Sequence, residues 1–271
     1  MSELAQPRGR FRAVARGKAA EPGTLAAFEA ATGRFYAART KAWSDLPDVE
    51  ELRERAREIR TRTMDDLERH LEDFTRAVER AGGRVHRCRT AAEASETIGG
   101  ICREAGASLA VKSKSMASEE IRLNEALAAA GVEPVETDLG EYILQLAGEH
   151  PVHIIAPAIE KTAAEVADLF SRVEGAPVAP ELGALTRAAR RQLREAFLRA
   201  DVGITGANFG VAETGSVCLV TNEGNGRLVS SLPRVHVALM GIERVVPTLA
   251  ELAVKSKSMA SEEIRLNEAL E

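Results

Sequence analysis

Lysines at 112 and 114 alternate with the hydroxyls of Ser113 and Ser115, just after the apolar run Leu109-Ala110-Val111 and just before Ser118-Glu119-Glu120. A strand ending there and a helix beginning there would bring two ammonium groups, two hydroxyls and unpaired backbone N–H groups together, which suits a phosphate or a carboxylate. The plainer reading is a helix capped by Ser115 or Ser118, with both lysines in water. Further on, Glu136, Asp138 and Glu141 crowd three carboxylates into six residues. That spacing fits general acid–base chemistry or a divalent cation, although Asp138 is also placed to cap the next helix and nothing in the spacing names a metal.

A third group lies within residues 200–227, where Asn208, Glu213 and Thr214 are followed by Asn222, Glu223, Asn225 and Arg227 among six glycines. Amides and a guanidinium of this kind could floor a pocket, with Arg227 and the lysines holding an anion, Glu213 moving a proton and glycine-flanked N–H groups meeting an oxyanion. By spacing alone the stretch also reads as a hairpin turn and a crossover. The expectation is that all three groups meet at one rim of a sheet. The glycine spacing matches neither G-x-G-x-x-G nor G-x-x-x-x-G-K-[ST], which disfavours dinucleotide binding and P-loop chemistry.

The elements that must position these residues follow from periodicity. Helical spacing runs from about Thr24 to Trp43 and from Asp48 to Glu79, with Asp48 as a cap and Gly82-Gly83 as a stop. After Gly83, short apolar runs alternate with helices. Strands are expected at Arg84-Val85-His86, 108–111, 132–136, 153–156, 202–205, 217–221 and 235–240, and helices near 91–105, 117–130, 161–170 and 184–199. The expected architecture is an α/β sheet covered by helices, preceded by a helical region at 24–82 and a basic, disordered arm at 1–23 that carries Arg8, Arg10, Arg12, Arg16 and Lys18.

Composition narrows the classes. The chain has 271 residues, 45% of them hydrophobic and 28% charged, with a net charge of −5, which argues for a soluble globular protein and against general nucleic-acid binding. No apolar run is long enough to span a membrane and the start lacks a signal-peptide core, so a cytoplasmic protein is expected. The three cysteines, Cys88, Cys102 and Cys218, form no C-x-x-C pair and read as small buried side chains. His150, His153 and His236 make no catalytic or metal-binding constellation.

Residues 252–270 repeat residues 109–127 without a change. A working tandem fold would show several drifting copies. One perfect copy reads as a duplication, a spliced gene or an engineered graft without a function of its own, expected to pack peripherally or to exchange into a neighbouring chain as a domain swap.

The segments Val111-Lys112-Ser113-Lys114-Ser115-Met116, Val135-Glu136-Thr137-Asp138-Leu139-Gly140-Glu141-Tyr142-Ile143, Gly203-Ile204-Thr205-Gly206-Ala207-Asn208-Phe209, Ala212-Glu213-Thr214-Gly215, Asn222-Glu223-Gly224-Asn225-Gly226-Arg227 and Gly241-Ile242-Glu243-Arg244-Val245-Val246-Pro247-Thr248 together resemble the LUD-domain family. Within it they are most similar to the iron–sulfur, LutB-type subunits of lactate utilisation. The resemblance implies a fold like that of sugar isomerases and CoA transferases over residues 83–250, leaving 251–271 as the duplicated piece. It also implies a place in a three-protein system that oxidises L-lactate to pyruvate with LutA-like and LutC-like partners, and electron transfer through [4Fe–4S] clusters held by cysteine motifs after the LUD domain. Three dispersed cysteines are not expected to hold those clusters, so no cofactor is expected in this chain. Glu160 stands where the family has a histidine. Rival readings are a stand-alone enzyme acting on a small phosphorylated or CoA-linked acid, and a non-catalytic scaffold.

Overall fold

The computed structural model describes residues 16–17, 24–44, 48–149, 157–158, 161–221 and 224–256. Most of the basic arm, His150, His153, Glu160, Asn222 and most of the repeated segment therefore lie outside the described residues.

Three helices lead the fold: α1 (Thr24–Ser44), α2 (Val49–Asp65) and α3 (Leu67–Arg80). The periodic stretch from Asp48 to Glu79 is thus two helices rather than one, broken at Asp66, whose backbone leaves the helical region at φ −128° and ψ 37°. Asp48 starts α2 without capping it: its φ is 58° and its side chain makes no cap hydrogen bond. The expected strand at Arg84-Val85-His86 does not form. Val85 instead packs beside Leu71 and Phe74 of α3, so its apolar side chain serves a helix interface.

The α/β part follows as α4 (Ala91–Glu104), β1 (Leu109–Lys112), α5 (Met116–Glu120), α6 (Leu123–Ala129), β2 (Glu133–Glu136), α7 (Leu139–Ala147), α8 (Ala163–Glu174), α9 (Leu182–Arg199), β3 (Val202–Gly206), β4 (Phe209–Val211), β5 (Ser216–Cys218), α10 (Asn225–Ser231), β6 (Val235–Leu239) and β7 (Val245–Val246). Strands β2, β1, β3 and β6 form a four-stranded sheet in that order, every pair parallel. A parallel sheet is covered on both faces. Ala110 of β1 packs with Ile98, Cys102, Leu123 and Leu127 on one side, while Val111 packs with Phe170, Leu193, Phe197 and Val229 on the other. Because the strands run the same way, Lys112, Glu136, Gly206 and Leu239 all end at one rim.

Gly203 shows how close the layers come. A Cβ there would lie 1.9 Å from the Val229 carbonyl oxygen of α10, so only glycine lets that helix settle on β3.

A second, three-stranded sheet has β4 at its centre, antiparallel to β5 and parallel to β7. The sequence suggested a crossover around Phe209 and a buried strand over 217–221. The structure places a strand at Phe209–Val211 and limits β5 to an edge strand on which Val217 is 38% exposed. Helix α3 covers one face of this sheet through Leu71 and Phe74, and Gly215, at φ 72°, lets the β4–β5 turn press on the backbone of Ala77 and Val78. Residues 249–256 form a final described helix, and Leu252 covers Phe209, Val211 and Val246 on the other face.

Helix α8 opens with a capping box: Thr162 Oγ1 accepts from the Glu165 N–H at 3.3 Å, and Glu165 Oε2 accepts from the Thr162 N–H at 2.8 Å. Thr162→Ala should cost about 1 kcal/mol, read as a lower urea midpoint with an unchanged slope. An unchanged midpoint would mean that the box carries no stability.

Candidate functional site

The rim is built by β1, β2 and the helices that follow them. Lys112, the last residue of β1, is only 1% exposed, and its Nζ donates to Glu136 Oε1 at 2.7 Å, Asn124 Oδ1 at 2.7 Å and Glu119 Oε1 at 3.2 Å. An ammonium has three N–H donors, and here all three are engaged. Lys112 therefore serves as an internal counter-ion, not as the anion clamp that its position suggested. The neighbouring strand explains why: β1 and β2 pair with Lys112 opposite Glu136, which sets cation and carboxylate side by side on the sheet.

Ser115 follows the plainer of its two readings. Its Oγ accepts from the Ser118 N–H at 3.2 Å and caps α5, a helix of five residues. It also presses on Gly206, where a Cβ would approach the Ser115 Oγ to 2.8 Å. Lys114 sits half-buried on the loop between, close enough to Glu141 to act on its charge.

Asp138 caps α7, accepting from the N–H groups of Gly140 at 3.1 Å and Glu141 at 3.3 Å. The other two carboxylates of that segment line a cleft of about 290 Å³ together with Glu119, Asn124, Gln145 and Glu149. Glu136, 3% exposed, takes Lys112 Nζ and the Asn124 Nδ2 donor at 2.6 Å on the same oxygen, Oε1. Its Oε2, like the Oε2 of Glu141, is buried with no hydrogen-bond partner among the described residues. Leaving such an atom dry and unpaired costs on the order of 1–3 kcal/mol, so each calls for an explanation. Burial pushes the Glu141 carboxyl up to about 8, helped by the charges of Glu136, Asp138 and Glu119 and opposed by Lys114. The folded chain therefore favours the neutral form of Glu141 to a higher pH than an ordinary glutamate.

Asn124 and Gln145 were not legible as site residues. Gln145 clasps the end of β2, accepting from the Glu136 N–H at 3.0 Å and donating to the Pro134 carbonyl at 2.8 Å. Helical spacing on α7 could have placed Gln145 one turn beyond Glu141, on the same side; no motif points to Asn124.

The third group does not join this cleft. Glu213 accepts from the Leu249 N–H at 3.1 Å and caps the helix at 249–256. It lines a different cleft, of about 280 Å³, between α3 and the small sheet, together with Arg69, His70, Arg76, Arg80 and Thr248. The shared pocket expected for Lys112 and Glu213 is thus two clefts, because β4 leaves the main sheet and carries Glu213 to α3. Thr214 is exposed in the β4–β5 turn, with its hydroxyl 2.9 Å from Ser216 Oγ, and Asn208 Oδ1 accepts from the Val220 N–H at 2.8 Å. Asn225 does reach the rim: its Nδ2 donates to Thr137 Oγ1 at 3.4 Å, and that hydroxyl in turn donates to the Lys112 carbonyl at 2.7 Å. Arg227 is exposed in the first turn of α10.

Comparison with known proteins covers most of these residues. Lactate utilization protein B of Bacillus thuringiensis (strain Al Hakam) is 45% identical over 228 residues, which is 84% of this chain and 48% of that protein. The same figures hold for Lactate utilization protein B of Bacillus cereus (strain AH187) and of Bacillus anthracis (strain A0248). The chain spans about half the length of the curated relatives it matches. No solved structure matches it. Residues 71–270, which include the rim, the acidic cleft and the small sheet, match the LUD domain, and the chain belongs to the LUD-domain family.

Proposed function

We propose that the chain acts as the LUD domain of a LutB-like component in the oxidation of L-lactate to pyruvate, in the cytoplasm, alongside LutA-like and LutC-like subunits. The observation that carries this reading is the 45% identity to Lactate utilization protein B across 84% of the chain. The electron-carrying part of such a component would lie elsewhere in the system. A [4Fe–4S] cluster takes four cysteine thiolates, and the three here are on separate elements: Cys88 before α4, Cys102 buried within α4 and Cys218 on β5. Those residues do not fit the cluster.

A small carboxylate, such as a 2-hydroxy or 2-oxo acid, would bind at the rim opposite the acidic cleft, at the start of α10. Arg227 supplies a guanidinium there and Asn225 an amide already tied to Thr137. A charge-assisted hydrogen bond is worth roughly 1.5–3 kcal/mol, so Arg227→Ala should weaken pyruvate binding about tenfold or more in an NMR titration. Unchanged affinity would remove the anion site from this place.

The wider reading is tested by co-expression with LutA-like and LutC-like subunits. Co-elution with them, and lactate-dependent dye reduction only in the assembled system, is the expected result. Turnover of a small phosphorylated or CoA-linked acid by the chain alone would overturn it.

A further inference from the structure

We infer that β6, the outer strand of the parallel sheet on the side away from the acidic cleft, pairs antiparallel with β6 of a second copy of this chain and joins the two sheets into one. The inference does not rest on the lactate reading.

The two outer strands of that sheet, β2 and β6, are finished differently. On β2 the N–H groups of Glu133 and Thr137 turn inward to the carbonyls of Ser108 and Lys112, at 2.9 Å each, so the backbone of Pro134 and Glu136 faces outward. Gln145 takes both the Glu136 N–H and the Pro134 carbonyl, and proline has no N–H to offer. With the charges of Glu133 and Glu136 beside them, these are the devices that keep an edge from pairing with another chain.

Strand β6 has none of them. The Val235 N–H donates inward to the Asp201 carbonyl at 3.4 Å, and the Leu239 carbonyl accepts inward from the Ala207 N–H at 2.9 Å. Backbone direction alternates along a strand, so the N–H and C=O groups of His236 and Ala238 face outward. Among the described residues no backbone group pairs with them. The strand Val235-His236-Val237-Ala238-Leu239 contains no proline and no lysine, arginine, aspartate or glutamate.

Turned antiparallel about Val237, this strand complements itself. His236 then faces Ala238 of the second copy, and Ala238 faces its His236. Each of those pairs exchanges two N–H···O bonds, which uses every outward group of both residues. Val237 meets its own counterpart between them, and Val235 lies opposite Leu239 of the second copy. These three side chains are only half-buried, against Ile98, Cys102, Leu123 and Leu127, and the second copy would cover what remains. The flanks are apolar as well. Leu228 and Leu232, one turn apart on α10, are 43% and 47% exposed, and Ile242 just beyond β6 is 52% exposed. The same register carries Leu232 toward Ile242 of the second copy. Such a contact is isologous and closes at two chains, and the blocked edge at β2 gives no route to a longer sheet.

Sedimentation velocity of the full chain over a range of concentrations tests the inference, with a reversible dimer as the expected result. Ala238→Pro removes an N–H that β3 does not use, so it should leave the fold intact while weakening association at least tenfold. Val237→Cys reads the register: facing residues at a non-hydrogen-bonded position have Cα atoms about 4.5 Å apart, which a disulfide spans. Oxidation should therefore link that variant into dimers. The native chain and Leu182→Cys, a position 78% exposed on α9, are the comparators that account for linkage through Cys88 or Cys218. Circular dichroism checks the proline variant, and the cross-link decides the matter should that variant not fold. A monomer at every concentration, association unchanged by Ala238→Pro, or no more linkage in Val237→Cys than in Leu182→Cys would overturn the inference.

Discussion

Lys112→Met is expected to destabilise the chain by about 3–5 kcal/mol, the range found when one partner of a buried ion pair is removed. The lysine is 1% exposed and the Glu136 side chain 5% exposed, with 2.7 Å between Nζ and Oε1. Methionine fills much the same volume, so the loss is electrostatic: among the described residues Glu136 then keeps the Asn124 amide alone on Oε1, while its other oxygen has no partner there. Urea denaturation at pH 7 reads the effect directly. Replacing both members, Lys112→Met with Glu136→Leu, should recover a large part of it, since an apolar pair carries no charge to strand. A single-variant loss below about 1 kcal/mol would mean that the pair is solvated in solution, and the account of the rim would have to be rewritten.

The second large effect is a loss of stability as pH rises through neutrality. Glu141 binds its proton more tightly in the folded chain, up to about 8, than at its ordinary value of 4.5. Between those values the folded state holds a proton that the unfolded state lacks, so each unit of rising pH subtracts stability. The contribution is whole below about pH 4.5 and gone above about pH 8. At about 1.4 kcal/mol per unit, and with part of the strain relieved by rearrangement among Glu136, Asp138 and Glu119, the change is on the order of 3 kcal/mol. Glu141→Gln keeps the shape and cannot ionise. It should match the native chain near pH 4.5 and exceed it near pH 8, when urea midpoints are compared across that range. Parallel profiles for the two proteins would show that Glu141 ionises freely in the fold.

Much of the architecture was legible because the evidence for it is local. Residues 108–111 and 202–205 read as short apolar runs bounded by turn and helix signals, and the central strands form there, at Leu109–Lys112 and Val202–Gly206. Asp138 stands before an apolar helical pattern and does cap α7, so its chemistry could be assigned from position alone. What was not legible depended on partners distant in the chain. Val85 looks like a strand residue but has no strand to pair with, and Asn124 acquires a role only because α6 returns beside the ends of β1 and β2. The single pocket failed for the same reason. Nothing near Glu213 announces that β4 will leave the parallel sheet for one that packs on α3.

The amino-acid sequence by itself determined the class of the fold, the apolar faces that bury the sheet and the presence of carboxylates beside Lys112. Only the tertiary structure decided which charges meet. The chain contains its own demonstration: Leu109-Ala110-Val111-Lys112-Ser113 recurs without change as Leu252-Ala253-Val254-Lys255-Ser256. The first copy runs as β1 between β2 and β3, hydrogen-bonded on both sides, with its lysine buried against Glu136. The second lies in a helix against the small sheet, with Leu252 over Phe209 and Lys255 Nζ 5.9 Å from that ring. Five residues of weak and divided propensity carry too little local free energy to choose a conformation. The hydrogen-bonding edges and apolar surface that each copy meets supply the difference.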